Sequence, residues 1–210
     1  MSNSSPASSK MKYIGIFIIL LITRNALAQQ ENFASRLYFP GLIGVSIQPK
    51  SAMVSYQPGL LLNTAIEYRS NNDGSLFYRF NYDGVTHKYS GATTELPTNV
   101  KSGNMHRTYF LAGAGYRKRY GRIGWYVLLQ PGFGIRGYDV VSSNESGFVL
   151  FQATKQALSV KLTAGLEFYL AKHFALIVEP SRYQNSFSNN DILANRSEMA
   201  LSIGFTTTLF

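Results

Sequence analysis

Cysteine is absent from the 210 residues, which excludes disulfides, thiolate metal sites, a cysteine nucleophile and a lipidated N-terminal cysteine. Charge is also scarce: Asp, Glu, Lys and Arg make up 15% of the chain, against ~25% in ordinary soluble domains. No apolar run approaches the ~20 residues of a helical membrane span, and beyond the N-terminal region charge or glycine breaks each run within a few residues. The three histidines, His87, His106 and His173, never stand two residues before a serine, so the His-x-Ser pattern of lipid A deacylases is missing. Gly113, Gly115, Gly132 and Gly134 lie inside alternating segments with no helix after them, which removes a phosphate-cradling loop. Inward glycines of this kind make room for large neighbours or relieve curvature. The formal charge is +9; from residue 29 onward 17 basic residues stand against 11 acidic, a net +6. These cations are scattered along strands and turns, mostly singly, which argues against nucleic acid as a partner.

What is abundant is aromatic: 14 Tyr and 14 Phe beside a single Trp. The N-terminus has the parts of an export signal. Lys10 and Lys12 precede the apolar stretch 13–22, and Ala26-Leu27-Ala28 supplies a small-x-small cleavage site. Residues 1–28 are therefore expected to be a signal peptide, with Met11 as an alternative start. Residues 29–36 form a short lead-in and 37–210 the folded part.

That part alternates with a period of two, the signature of strands with one apolar and one polar face. The longest example places Leu158, Val160, Leu162, Ala164, Leu166, Phe168 and Leu170 on one face, with Ser159, Lys161, Thr163, Gly165, Glu167 and Tyr169 between them. After a turn at 171–173 the chain returns through Phe174, Leu176, Val178 and Pro180. Eight such strands are predicted, and their connections differ in length. Those after strands two, four and six are tight; Asn71-Asn72-Asp73-Gly74 and the segment 119–122 are strong turn signals. Those after one, three, five and seven, near 49–57, 89–104, 142–156 and 184–196, are longer and polar. Sorting loops by side has no purpose in a sandwich but is the rule in transmembrane barrels. The fold class expected is an all-β, eight-stranded antiparallel up-and-down transmembrane barrel, with the large apolar face toward lipid. Tyr68, Tyr78, Tyr116, Trp125, Phe168 and Phe174 fall near the short-turn ends, where an aromatic girdle belongs. Pro131 and Pro180 fall inside strands and predict a bulge or bend at each.

With these features the chain resembles the small eight-stranded outer-membrane β-barrels of Gram-negative bacteria, and most of all the porin-like, PorT-type barrel family of Bacteroidota. The resemblance implies an outer-membrane location. It also implies outer-membrane lipid as the surrounding partner and recognition by the barrel-assembly machinery through the last strand. Phe205, Leu209 and Phe210 are the residues it marks as that signal. Phe210 is out of phase with Met199, Leu201, Ile203 and Phe205; a bulge among residues 206–208, or use of Leu209, would accommodate this.

The polar face contains Glu67, Arg69, Arg79, Asp83, Arg107, Arg117, Arg136, Lys161, Glu167 and Glu179. A barrel of eight strands has a bore that side chains can fill, so the expectation is an interior network of paired charges. No catalytic group, cofactor or metal site is expected. The function expected is that of a monomeric structural or interaction protein, with a small channel and an outer-leaflet lipid enzyme as the alternatives. Arg117, Lys118, Arg119 and Arg122 form a basic surface patch at one turn that would meet anionic headgroups or a periplasmic protein partner, or else be merely solvated.

Overall fold

In the computed structural model, residues 36–49, 54–70, 75–91, 102–144, 147–171, 173–187 and 196–208 are described. The leader and nearly all of the lead-in lie outside them, as do Leu209 and Phe210. Nine strands follow one another: β1 (Leu37–Ile47), β2 (Val54–Tyr56), β3 (Gly59–Arg69), β4 (Leu76–Gly91), β5 (Ser102–Tyr120), β6 (Ile123–Asn144), β7 (Gly147–Ala171), β8 (Phe174–Asn185) and β9 (Ser197–Thr207). Each of the eight long strands pairs antiparallel with its sequence neighbour, and β1 pairs with β9. The sheet is therefore closed, an eight-stranded antiparallel barrel. β2, inside the stretch expected to be loop, continues the wall beyond β3 by pairing with β4, and Pro58 separates the two.

The pairing fixes the dimensions. The rung Leu37–Tyr68–Tyr78–Ala114–Leu129–Leu162–Arg182–Met199 circles the barrel and returns to β1 at Ile47, ten residues above its start. Closure with such a stagger tilts the strands by roughly 35–45°. Alternation then sorts every strand. Ile43, Leu62, Phe80, Val127, Leu129, Leu162, Leu166, Leu201 and Ile203 are about half exposed on the outer face. Their neighbours in the other phase are buried inside.

The connections are less regular than expected. At one end β5 and β6 join through Gly121–Arg122, with Tyr120 opposite Ile123. Gly121 has φ 57°, which the first position of this tight hairpin requires and side-chain-bearing residues seldom adopt. At the other end the expected loop 142–156 is instead strand at residues 142–144 and 147–156. β6 and β7 stay paired up to Asn144 and Gly147, about 30 Å along the strand beyond Ile135 at ~3.3 Å per residue. Near-continuous β-formers, from Phe148 to Phe151, explain why polarity elsewhere in the segment did not break the strand.

The prolines do not bulge. Pairing across Pro131 runs from Leu111–Gly132 to Ala114–Leu129 with no shift of register, and across Pro180 from Thr163–Ser181 to Leu166–Val178. Pro40 behaves alike, between Tyr38–Glu67 and Gly41–Thr64. In each case the proline and the residue before it drop out of one flanking ladder, while the opposite ladder is unbroken. An antiparallel residue directs its N–H and C=O to the same neighbour, so a missing N–H costs a bond on one side only. The register sets each proline opposite an alanine: Ala65, Ala112 and Ala164. The shift of register that does occur is between Tyr169 and Ala171, beside a turn. None occurs in β9 up to Thr207.

Candidate functional site

All ten polar-face residues point inward and are buried, and they form two groups along the bore. Nearest the short-turn end, three carboxylates meet three guanidinium groups. Glu67 accepts from Arg69 Nε at 2.7 Å and from Arg79 Nη2 at 2.6 Å. Glu167 accepts from Arg117 Nη1 at 2.9 Å and from the Tyr169 hydroxyl at 2.7 Å. Glu179 accepts from both Arg79 and Tyr126. Three positive and three negative charges leave this group neutral, and each cation also lies in reach of a carboxylate on another strand. Arg117 thus belongs to the bore, not to a basic surface patch. The guanidinium of Arg69 also lies 3.2 Å from the centre of the Tyr38 ring.

A belt of amides comes next. Asn81 donates to Asn63 at 3.0 Å, and Gln130 donates to Asn81 at 2.7 Å. Above it Asp83 accepts from Lys161 at 2.7 Å and from Tyr183 at 2.7 Å. Toward the long-loop end the centre is Glu198, absent from the sequence-derived set. It accepts from Arg107 at 2.9 Å, from Tyr109 at 2.9 Å and from Ser46, and lies 3.3 Å from His87 Nε2. Arg136 stands directly across from Arg107 on the neighbouring strand, with Phe187 4.6 Å from its guanidinium carbon. The parity that puts Met199 outside puts Glu198 inside, so starting the last strand two residues earlier would have revealed it.

Apolar and aromatic side chains fill the space between these groups. Leu42, Phe77, Tyr126, Leu128 and Ile177 pack around the lower charges, and Leu61, Val85, Tyr109, Leu111 and Tyr183 around the upper ones. Gly115 and Gly134 make room for the rings of Phe77 and Tyr109, whereas Gly113 and Gly132 lie against the backbone of the adjoining strands. A Cβ on Gly165 would overlap the Tyr126 ring. Gly165→Ala is expected to destabilise the barrel by about 1–3 kcal/mol through overpacking, read as a lowered urea midpoint. Gly84→Ala, with open space around it, should leave the midpoint unchanged.

Ser46, His87 and Glu198 are a residue set that could suggest a hydrolase. Their wiring does not fit. Serine and histidine both contact the carboxylate, and His87 Nδ1 faces the Gln57 carbonyl at 3.0 Å. A serine nucleophile needs the histidine itself as its base. All three groups are also fully buried. Among the described residues no group of three or more His, Asp or Glu is arranged to hold a metal ion.

On the outer face Tyr78, Tyr116, Trp125 and Phe168 are exposed near the short-turn end. Tyr116 and Trp125 lie 6.0 Å apart, and Phe174 lies 5.8 Å from Phe205. Lys118 is set among these aromatics. Farther along lies a broad apolar band in which Arg182 is exposed.

A closed eight-stranded wall, an apolar outer band and a polar, side-chain-filled bore define the fold of the small outer-membrane β-barrels. Among solved structures the chain is similar to Neisserial surface protein A, with 13% identity, a TM-score of 0.54, and coverage of 82% of this chain and 97% of that one. It is also similar to OprG of Pseudomonas aeruginosa, at 11% identity and TM-score 0.48, covering 81% of this chain and 94% of that one. Ail of Yersinia pestis is similar at 14% identity and TM-score 0.46, covering 82% and 98%. No protein-family model and no curated protein sequence matches.

Proposed function

We propose that the chain is a non-catalytic outer-membrane barrel of a Gram-negative bacterium, exported by cleavage of residues 1–28 and belonging to the PorT-type family of Bacteroidota. In this reading it acts as a structural or interaction protein, and its bore is a plug of paired charges. The short turns lie in the periplasm, as is usual for such barrels. The paired β6–β7 arm then extends outside the cell, the part best placed to meet a partner.

The observation that carries the plug is at mid-height. Asn81, Asp83, Gln130, Thr163 and Glu179, on four different strands, have no solvent-accessible area. A water-filled channel would wet at least one wall at that level. Purified protein in planar bilayers should therefore show no steady conductance. A reproducible porin-sized current would refute the plug and favour the channel alternative.

A further inference from the structure

Arg182 is exposed on the outer face, yet its cross-strand neighbours are Leu162 and Met199, themselves about half exposed, and the next outward residue along its strand is Pro180. Among the described residues the Arg182 side chain has neither a hydrogen-bond nor an ion-pair partner. It borders a groove of about 530 Å³ cut into the apolar band. The groove follows from the register that sets Pro180 opposite Ala164. Ala164 and Pro180 face each other with little side-chain bulk, while Leu162, Met199 and Leu201 rise on either side. A floor of alanine and proline between walls of leucine and methionine is shaped for a hydrocarbon chain. At its end toward the long loops stands an arginine, whose planar fork of donors matches a phosphate.

The geometry points to a lipid site: the groove holds an acyl chain of a phosphorylated glycolipid of the outer leaflet, of the lipid A type, and Arg182 holds its phosphate. This rests on the membrane orientation proposed above, which sets Arg182 in the outer half of the bilayer. A second depression in the wall, bordered by Ile66, Phe80, Ala112 and Ala114, has no outward cation and serves as a control.

The full chain is purified in detergent, and native mass spectrometry is run with bisphosphorylated lipid A, dephosphorylated lipid A and phosphatidylethanolamine. Wild type should retain the phosphorylated form about tenfold better than the dephosphorylated one, the worth of one charge-assisted contact. Arg182→Gln should erase that preference. Ala164→Phe should lower retention of both forms, and Ala112→Phe should change neither. Equal retention of the two forms by wild type overturns the proposal, as does Arg182→Gln binding like wild type. Displacement of the lipid by millimolar inorganic phosphate overturns it too, since that marks a simple anion site. Heat-modifiable gel migration in liposomes separates the two levels of failure. A wild type that does not insert sinks the membrane reading itself, whereas an inserted barrel without lipid preference sinks only the groove. Should Ala164→Phe not fold, Arg182→Gln alone decides.

Discussion

Replacing Glu67 by glutamine is expected to lower the stability of the folded barrel by about 3–5 kcal/mol, the usual cost of removing one partner from a buried ion pair. Glu67 sits between Arg69 and Arg79, with Arg117 3.9 Å away. Glutamine keeps the shape but leaves three guanidinium groups to two carboxylates in a buried region. The measurement is a urea titration of tryptophan fluorescence in lipid vesicles, for which Trp125 is the one natural probe. A loss below about 1 kcal/mol, the range of solvent-screened pairs, would mean that the bore is hydrated enough to screen its charges. The plug would then be wrong even if the fold is right.

Leu166→Arg tests the other face. Leu166 is 60% exposed and stands between Trp125 and Val178 on the adjoining strands, inside the apolar band. An arginine facing hydrocarbon costs roughly 2–4 kcal/mol at the midplane and nearly nothing at the interfaces. Because the adjoining Trp125 belongs to the aromatics near the short-turn end, the cost at Leu166 lies between these limits, roughly 1–2 kcal/mol, while Gln156→Arg, exposed beyond the band on the same strand, should fold normally. Equal tolerance at the two positions would show that this face does not meet lipid. Thr163 is no substitute for the control. Alternation marks it only as inward and polar, whereas the structure buries it completely, so an arginine there has no room.

Thr163 illustrates what was legible from residues alone. Period-two alternation assigns each side chain to a face, and the faces of Leu162, Lys161, Glu167 and Arg117 follow from it directly. Strand ends are harder, because alternation fades where polar residues occur on both faces. That is why alternation does not place Glu198 and His87 on the inner face, and why residues 142–144 and 147–156 read as loop although they are strand. Which acid meets which base is harder still. Arg79 joins Glu67, nearby in sequence, to Glu179, a hundred residues away, and only the register of all eight strands brings them together. The prolines show a different gap: their chemistry predicts a lost bond, but whether the strand bulges or simply omits a rung depends on the small alanine opposite.

The ten-residue climb from Leu37 to Ile47 has one further consequence. Strand number and stagger are both integers, and together they determine the width of a closed sheet. The wall therefore has no continuous range of diameters: it widens only by whole jumps, through added strands or a re-indexed seam. Trimming Arg79 or Tyr126 would carve holes in the filling but leave the tube itself unchanged. Converting this chain into an open pore is thus a problem of arithmetic in the backbone before it is one of side-chain chemistry.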